Sequence, residues 1–208
     1  MANNLTESKI MDVLNWSYDK AVNGVAGLDS AYDLANDYMK TNDSLYNQVN
    51  SLIRWQNTKA GTSGFLTGLG GIITLPIAIP ANVASVIYVQ IRMIAAIAHM
   101  GGHNLNDDRV KSLVFVCLTG NAAKDILKDI GIVVGKKIAQ NSIKNISGKT
   151  ITAINQKVGF RLLTKFGEKG VINLGKAVPL LGGIIGASFD SVTTNTVGNI
   201  ARDTFIRV

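Results

Sequence analysis

The sequence predicts an all-α fold, a multi-helix bundle with glycine-rich apolar helices at its centre. Three observations lead there. Apolar residues recur at helical spacing through most of the chain, and no stretch alternates with period two between hairpin turns. The 21 Gly, with only three Pro and abundant Ala, Val, Ile and Leu, suit helices that pack closely over small residues. A length of 208 residues allows a substantial core. We divide the chain into acidic N-terminal helices (1–50), which pack on that core, and a helical domain (51–208).

From Thr6 to Asn23, Ile10, Val13, Leu14 and Ala21 share one helical face, with Trp16 and Tyr18 beside them. Gly24 and Gly27 break this helix. Asp29 or Ser30 then caps a second through Lys40, and Asn42 and Asp43 offer the cap for a third, whose stripe is Leu45, Val49, Leu52 and Ile53. That helix runs on past Trp55 and Lys59 into a glycine-rich segment. Between Lys59 and Arg92 no side chain is charged. Uncharged runs above about 18 residues usually span membranes. This one is poorly made for it: Gly61, Gly64, Gly68, Gly70 and Gly71 loosen its first half, Pro76 and Pro80 interrupt its middle, and Asn82 and Gln90 add amides. Two helices fit better, the second beginning near Pro80, where a missing N–H costs nothing, and ending at Gly101-Gly102. A helix apolar nearly all round suits either the centre of a globule or a bilayer, and its composition fits both.

Asn106 and Asp107 cap the next helix, with Val110, Leu113, Val114 and Cys117 inward; Gly120 loosens it, and Ile126, Leu127, Ile130, Val133 and Val134 continue the pattern. Residues 141–150 read as a surface loop. An amphipathic helix over Ile151–Phe166 then carries Lys157, Arg161 and Lys165 four residues apart, a basic stripe suited to a phosphate surface. From Pro179 onward Gly182, Gly186, Asp190, Thr194 and Gly198 fall every four residues, a face that lets helix backbones approach closely. Gly61, Gly64 and Gly68 make a similar face, and we pair the two.

Charge is unevenly distributed. Residues 1–58 hold seven acids and four bases; residues 59–208 hold seven acids and 17 bases, concentrated between Lys124 and Lys176. Charged residues are 17% of the chain, below the roughly 25% of a typical soluble domain, and mean hydropathy is +0.21. A basic half next to an apolar half suits an anionic membrane surface or an acyl chain. Nucleic acid is disfavoured, because only Phe160 and Phe166 are available for base stacking in the basic stretch. The single Cys117 permits no internal disulfide and no Cys-based zinc site, and its apolar run LVFVCL makes it a core thiol. The N-terminus shows no secretory signal pattern, so we expect a cytoplasmic location, peripheral to or partly inserted in the inner membrane.

Motifs for chemistry are thin. His99 and His103 are four apart, but Gly101-Gly102 separates them and no His-Glu-x-x-His pattern is present, so no metal site is assigned. GTSGFLTGLGG lacks the Lys-Ser/Thr ending of a phosphate loop, and Ser63 lies outside a Gly-x-Ser-x-Gly elbow. We assign no catalytic residue and no cofactor. What stands out are two lone charges in apolar segments, Arg92 and Asp190. Each lies eleven or twelve residues beyond a proline, so we expect a buried pair.

The segments GFLTGLGGIITLPIAIPANV (64–83), QIRMIAAIAHMGG (90–102) and RLLTKFGEKGVINLGKAVPLLGGIIGASFDSVTTNTVG (161–198) resemble the EcsC family of bacterial proteins. The resemblance covers about Ser51 to the end. The family is named for a product associated with a bacterial ABC transporter system, so the resemblance implies an all-helical, membrane-associated accessory protein, with transporter subunits as a possible membrane protein partner. It transfers no catalytic residues. Alternatives of other classes are a soluble module that regulates a protein partner, and a hydrolase using Asp190, Arg92 or the histidines.

Overall fold

The computed structural model describes residues 6–25, 27–60, 81–132, 143–166 and 184–206, with side chains outside the description at 59–60, 81–83, 166 and 184–192. Every element there is helical. The helices are α1 (Glu7–Asn23), α2 (Ala31–Met39), α3 (Leu45–Ala60), α4 (Ala81–Met100), α5 (Asp108–Leu118), a 3-10 turn (Gly120–Ala122), α6 (Ala123–Asp129), α7 (Gly148–Phe166) and α8 (Ile184–Phe205). The only β-type pairing among the described residues is one bridge between Val25 and Leu28.

Local chemistry sets the ends of these helices. Thr6 caps α1 by accepting from the Lys9 N–H. Ser30 caps α2 in a reciprocal box: its hydroxyl accepts from the Asp33 N–H at 3.1 Å, and the Asp33 carboxylate accepts from the Ser30 N–H at 3.1 Å. These bonds hold the Asp33 carboxyl below the usual carboxylate range. At α3 the cap falls one residue later than the sequence suggests: Ser44 accepts from the Asn47 N–H, and Asp43 supports it by accepting from Ser44 N–H and the Asn47 amide. α4 ends in a Schellman motif, with Gly102 at φ 79° donating to His99 O and His103 N–H donating to Ala98 O. Only a residue without a Cβ takes that left-handed conformation without strain.

α4 is the axis of the molecule. It packs against α1, α2, α3, α5 and α8, and from Ile87 through Ala98 every side chain is buried. That surrounding explains its all-round apolar sequence, because each face meets another helix. α8 runs parallel to α4, with Gln90 beside Thr194 and Gly101 beside Phe205. α3 runs antiparallel to α8, with Asn50 beside Arg202 and Ile53 beside Gly198. α7 lies outside, on α1 and α5. The acidic helices α1 and α2 share one apolar cluster with α4, α5 and α8.

Two regions differ from the sequence pattern. After Gly120 the chain passes through the 3-10 turn into α6, which ends at Asp129 ahead of Gly131, φ 79°; Val133 and Val134 lie outside the described residues. Residues 141–150 are not simply a surface loop. Among the described part, Ile143 and Ile146 are buried, Arg109 Nε donates to Ile146 O at 3.1 Å, and α7 already begins at Gly148. Two isoleucines three apart turn one side of this polar segment inward. No helix among the described residues is long and apolar enough to cross a membrane.

Candidate functional site

Two places gather the functional candidates: the outer face of α7 and a buried polar strip on α4. On α7, Ile154, Val158 and Leu162 face the core, so the intervening positions face outward. Gln156, Lys157, Phe160, Arg161 and Thr164 are exposed there, and Phe160 is 58% exposed. No acid occurs between Asp129 and Glu168 in the sequence. Lys157 pairs with Asp129 at the end of α6, and the ammonium holds the Asp129 carboxyl below its ordinary range. Arg161 stays exposed, while Lys165 is half-buried. The predicted stripe is therefore a graded face: one lysine tied to a neighbour, one open arginine, one partly covered lysine, and an exposed phenyl ring among them.

On α4, Gln90 Nε2 donates to Thr194 Oγ1 at 3.2 Å and lies 3.4 Å from Thr193 Oγ1, while its Oε1 completes no hydrogen bond. Gln56 on α3 is fully buried, and neither end of its amide is paired. Arg92 points elsewhere. It is 4% exposed, and its Nη1 donates to Asp29 O at 3.1 Å, beneath the α1–α2 connection. Tyr88, one turn before it, is fully buried with its hydroxyl toward that guanidinium. Burial pushes the Tyr88 phenol up, and the Arg92 charge pulls it partly back. The ion pairs among the described residues do not include Arg92. The side chain of Asp190 lies outside the described residues, so the expected Arg92–Asp190 pair does too.

Of the small-residue faces, Gly61, Gly64, Gly68 and Gly182 lie outside the described residues, and Gly186 falls in the part of α8 whose side chains are not described. Gly198 sits where a Cβ would come within 2.9 Å of Ile53 Cγ1 and Cγ2 and 3.3 Å of Met93 Cε. It thus lets α3, α4 and α8 meet. The histidines are held in packing contacts: His99 is edge-on to Tyr32, and His103 Nε2 lies 3.2 Å from Phe205 O. Cys117 is fully buried, and burial pushes its thiol up to about 12.

Sequence reasoning gave no weight to Tyr88 or to the exposed side of Phe160. The available signals were positional. Tyr88 stands four residues before the lone arginine, and Phe160 adjoins Arg161 and follows Lys157 by three. It also missed the Arg202 cluster on α8, where the guanidinium donates to Asn50, Asn199 and Asp203 and stacks 4.9 Å over Tyr46. A polar hollow of about 180 Å³ beside Tyr18, Asp19, Asp107 and Lys111 has no arrangement of titratable groups that suggests chemistry.

No curated protein and no solved structure matches this chain. The family model described as "EcsC protein family" matches residues 2–207, which takes in the acidic α1 and α2 together with the glycine-rich segments and α8. The chain belongs to the EcsC protein family.

Proposed function

We propose that this protein is a membrane-associated accessory protein of the bacterial cytoplasmic face, meeting anionic lipid through the outer face of α7. The observation that carries the reading is Phe160, 58% exposed between Lys157 and Arg161 on a helix without acids. A basic helix face with a protruding aromatic ring suits the lipid interface: the cations meet headgroup phosphates, and the ring enters the acyl boundary. Each basic residue held near such a surface contributes roughly 1 kcal/mol. The family resemblance supports an accessory role beside a membrane protein such as a transporter subunit, and no reaction is assigned. The glycine-rich apolar segments would then serve insertion or hold an acyl chain.

The test is flotation with vesicles of phosphatidylcholine alone or with phosphatidylglycerol added. Lys157→Glu/Arg161→Glu/Lys165→Glu should lose the anionic vesicles, and Phe160→Ser should weaken binding while leaving the charge intact. Circular dichroism must first show both variants folded, since Lys157 also pairs with Asp129. Unchanged flotation at low salt sinks the reading.

A second reading, a protein-interaction module, is favoured by Trp55 on α3, which is 52% exposed. Aromatic residues at a surface suit a protein partner. Cross-linking in cells that depends on Trp55 and not on Phe160 would select it.

A further inference from the structure

We propose that Arg92 and Tyr88 form a binding site for a small oxyanion, a phosphate or carboxylate group, inside the helical bundle beneath the α1–α2 connection. Arg92 is 4% exposed and carries a charge it cannot lose. A buried cation is tolerated only when an opposite charge and hydrogen-bond acceptors surround it. Among the described residues the acceptors are too few. Nη1 uses the Asp29 carbonyl, Nε completes no bond, and no described carboxylate lies in ion-pair range. Asp29 gives Arg92 its carbonyl; its carboxylate is exposed, makes no ion pair with Arg92, and is near enough to Tyr88 to help raise the phenol.

Tyr88 sharpens the argument. Its hydroxyl is buried with its oxygen turned to the Arg92 guanidinium, which has donors only, so its proton has no acceptor among the described residues. The phenol proton is therefore left for a third group. Among the described residues, two donors four residues apart on one helix face, one of them charged, lack the same thing: a paired acceptor with negative charge. A phosphate or carboxylate supplies several oxygens to such a fork, and the Asp29 carbonyl already fixes one end of the guanidinium. The site is separate from the α7 face, so either can fail without the other.

Differential scanning calorimetry of the full chain tests this. The probes are inorganic phosphate, acetate, and glycerophosphoglycerol as a lipid headgroup without acyl chains, each against chloride at equal ionic strength. Wild type should show a saturable rise in Tm with at least one oxyanion. Tyr88→Phe keeps the ring and removes only the donor, so it should weaken the apparent affinity roughly tenfold. It also controls for general salt effects, which act on both proteins alike. A response to glycerophosphoglycerol but not phosphate identifies a headgroup; the reverse identifies a free ion. Identical responses in wild type and Tyr88→Phe overturn the proposal. So does the absence of any saturable response, and all the more if Arg92→Met/Asp190→Leu is as stable as wild type while Arg92→Met alone is not. In that case the chain supplies its own counter-ion from Asp190.

Discussion

Gly101 shows how much one missing methyl group decides. A Cβ at this position would lie 2.4 Å from the Phe205 carbonyl oxygen, which belongs to backbone and cannot rotate away. Gly101→Ala should cost at least the 1–3 kcal/mol of ordinary overpacking, read as a lower midpoint in urea at unchanged slope. Gly148 is the matched control. Nothing lies within 4 Å of its hypothetical Cβ, it opens an exposed helix end, and Gly148→Ala should be neutral or stabilising by roughly 0.4–1 kcal/mol. Cys117 gives a second residue-scale expectation. Burial raises its folded pKa from 9.0 to about 12, and burial also raises Tyr18, whose hydroxyl donates to Leu105 O. The protonated forms are thus preferred in the folded state. Their contribution is intact below pH 9 and is lost as pH climbs toward 12. From Cys117 alone, stability should fall by about 1.4 kcal/mol per pH unit in that window. Cys117→Ala should flatten this slope in alkaline denaturation curves, and native protein should resist thiol reagents until it unfolds.

At the scale of elements, α2 and α7 make opposite kinds of statement. α2 is short, nine residues, and depends on its start. The Ser30–Asp33 box satisfies its first N–H groups, so Ser30→Ala should cost about 1 kcal/mol. The Asp33 carboxyl, held low by the same bonds, adds stability present above its ordinary pKa and lost as pH falls through the depressed folded value. An acid titration of Ser30→Ala should therefore show a weaker pH dependence near that range than wild type. α7 needs no such help inside the fold. Its inner face packs on α1 and α5, and its outer face retains a bare ring and an open arginine that packing does not require. Truncating Phe160 should thus leave the melting temperature nearly unchanged, unlike Leu162→Ala, which should lose 2–5 kcal/mol. That contrast separates an outward face kept for a partner from one kept for stability.

For the whole molecule, the position of α4 sets the order of stability. Ile87, Ile91, Ile94 and Ala98 are fully buried, and five helices cover this one. Its amides can reach water only when the covering helices leave. Hydrogen exchange should show Ile87–Ala98 as the slowest block, exchanging with the free energy of global unfolding, whereas α7 amides should exchange through smaller openings. Equal protection in α4 and α7 would mean that the outer layer opens only with the core.

The sequence by itself settled what is periodic and local. Spacing of apolar residues announced the helices, Ser30, Asp107 and Gly101-Gly102 announced ends that the structure shows, and the motifs flanking Pro76 and Pro80 announced the family. These signals act within one or two turns of chain, so they survive without knowledge of neighbours. The sequence could not choose between globule and bilayer for Ala81–Met100, because an apolar stripe on every face is the same in both. Only the placement of α1, α2, α3, α5 and α8 around it shows that protein covers those faces. The inward turn of Ile143 and Ile146 within a polar stretch was likewise invisible, since burial there depends on residues such as Arg109, 37 positions away. So too for Arg92: its isolation among apolar residues was legible, but its contact with the Asp29 carbonyl comes from where α2 begins. A side chain's charge is written in the sequence; its partners are set by which helices meet.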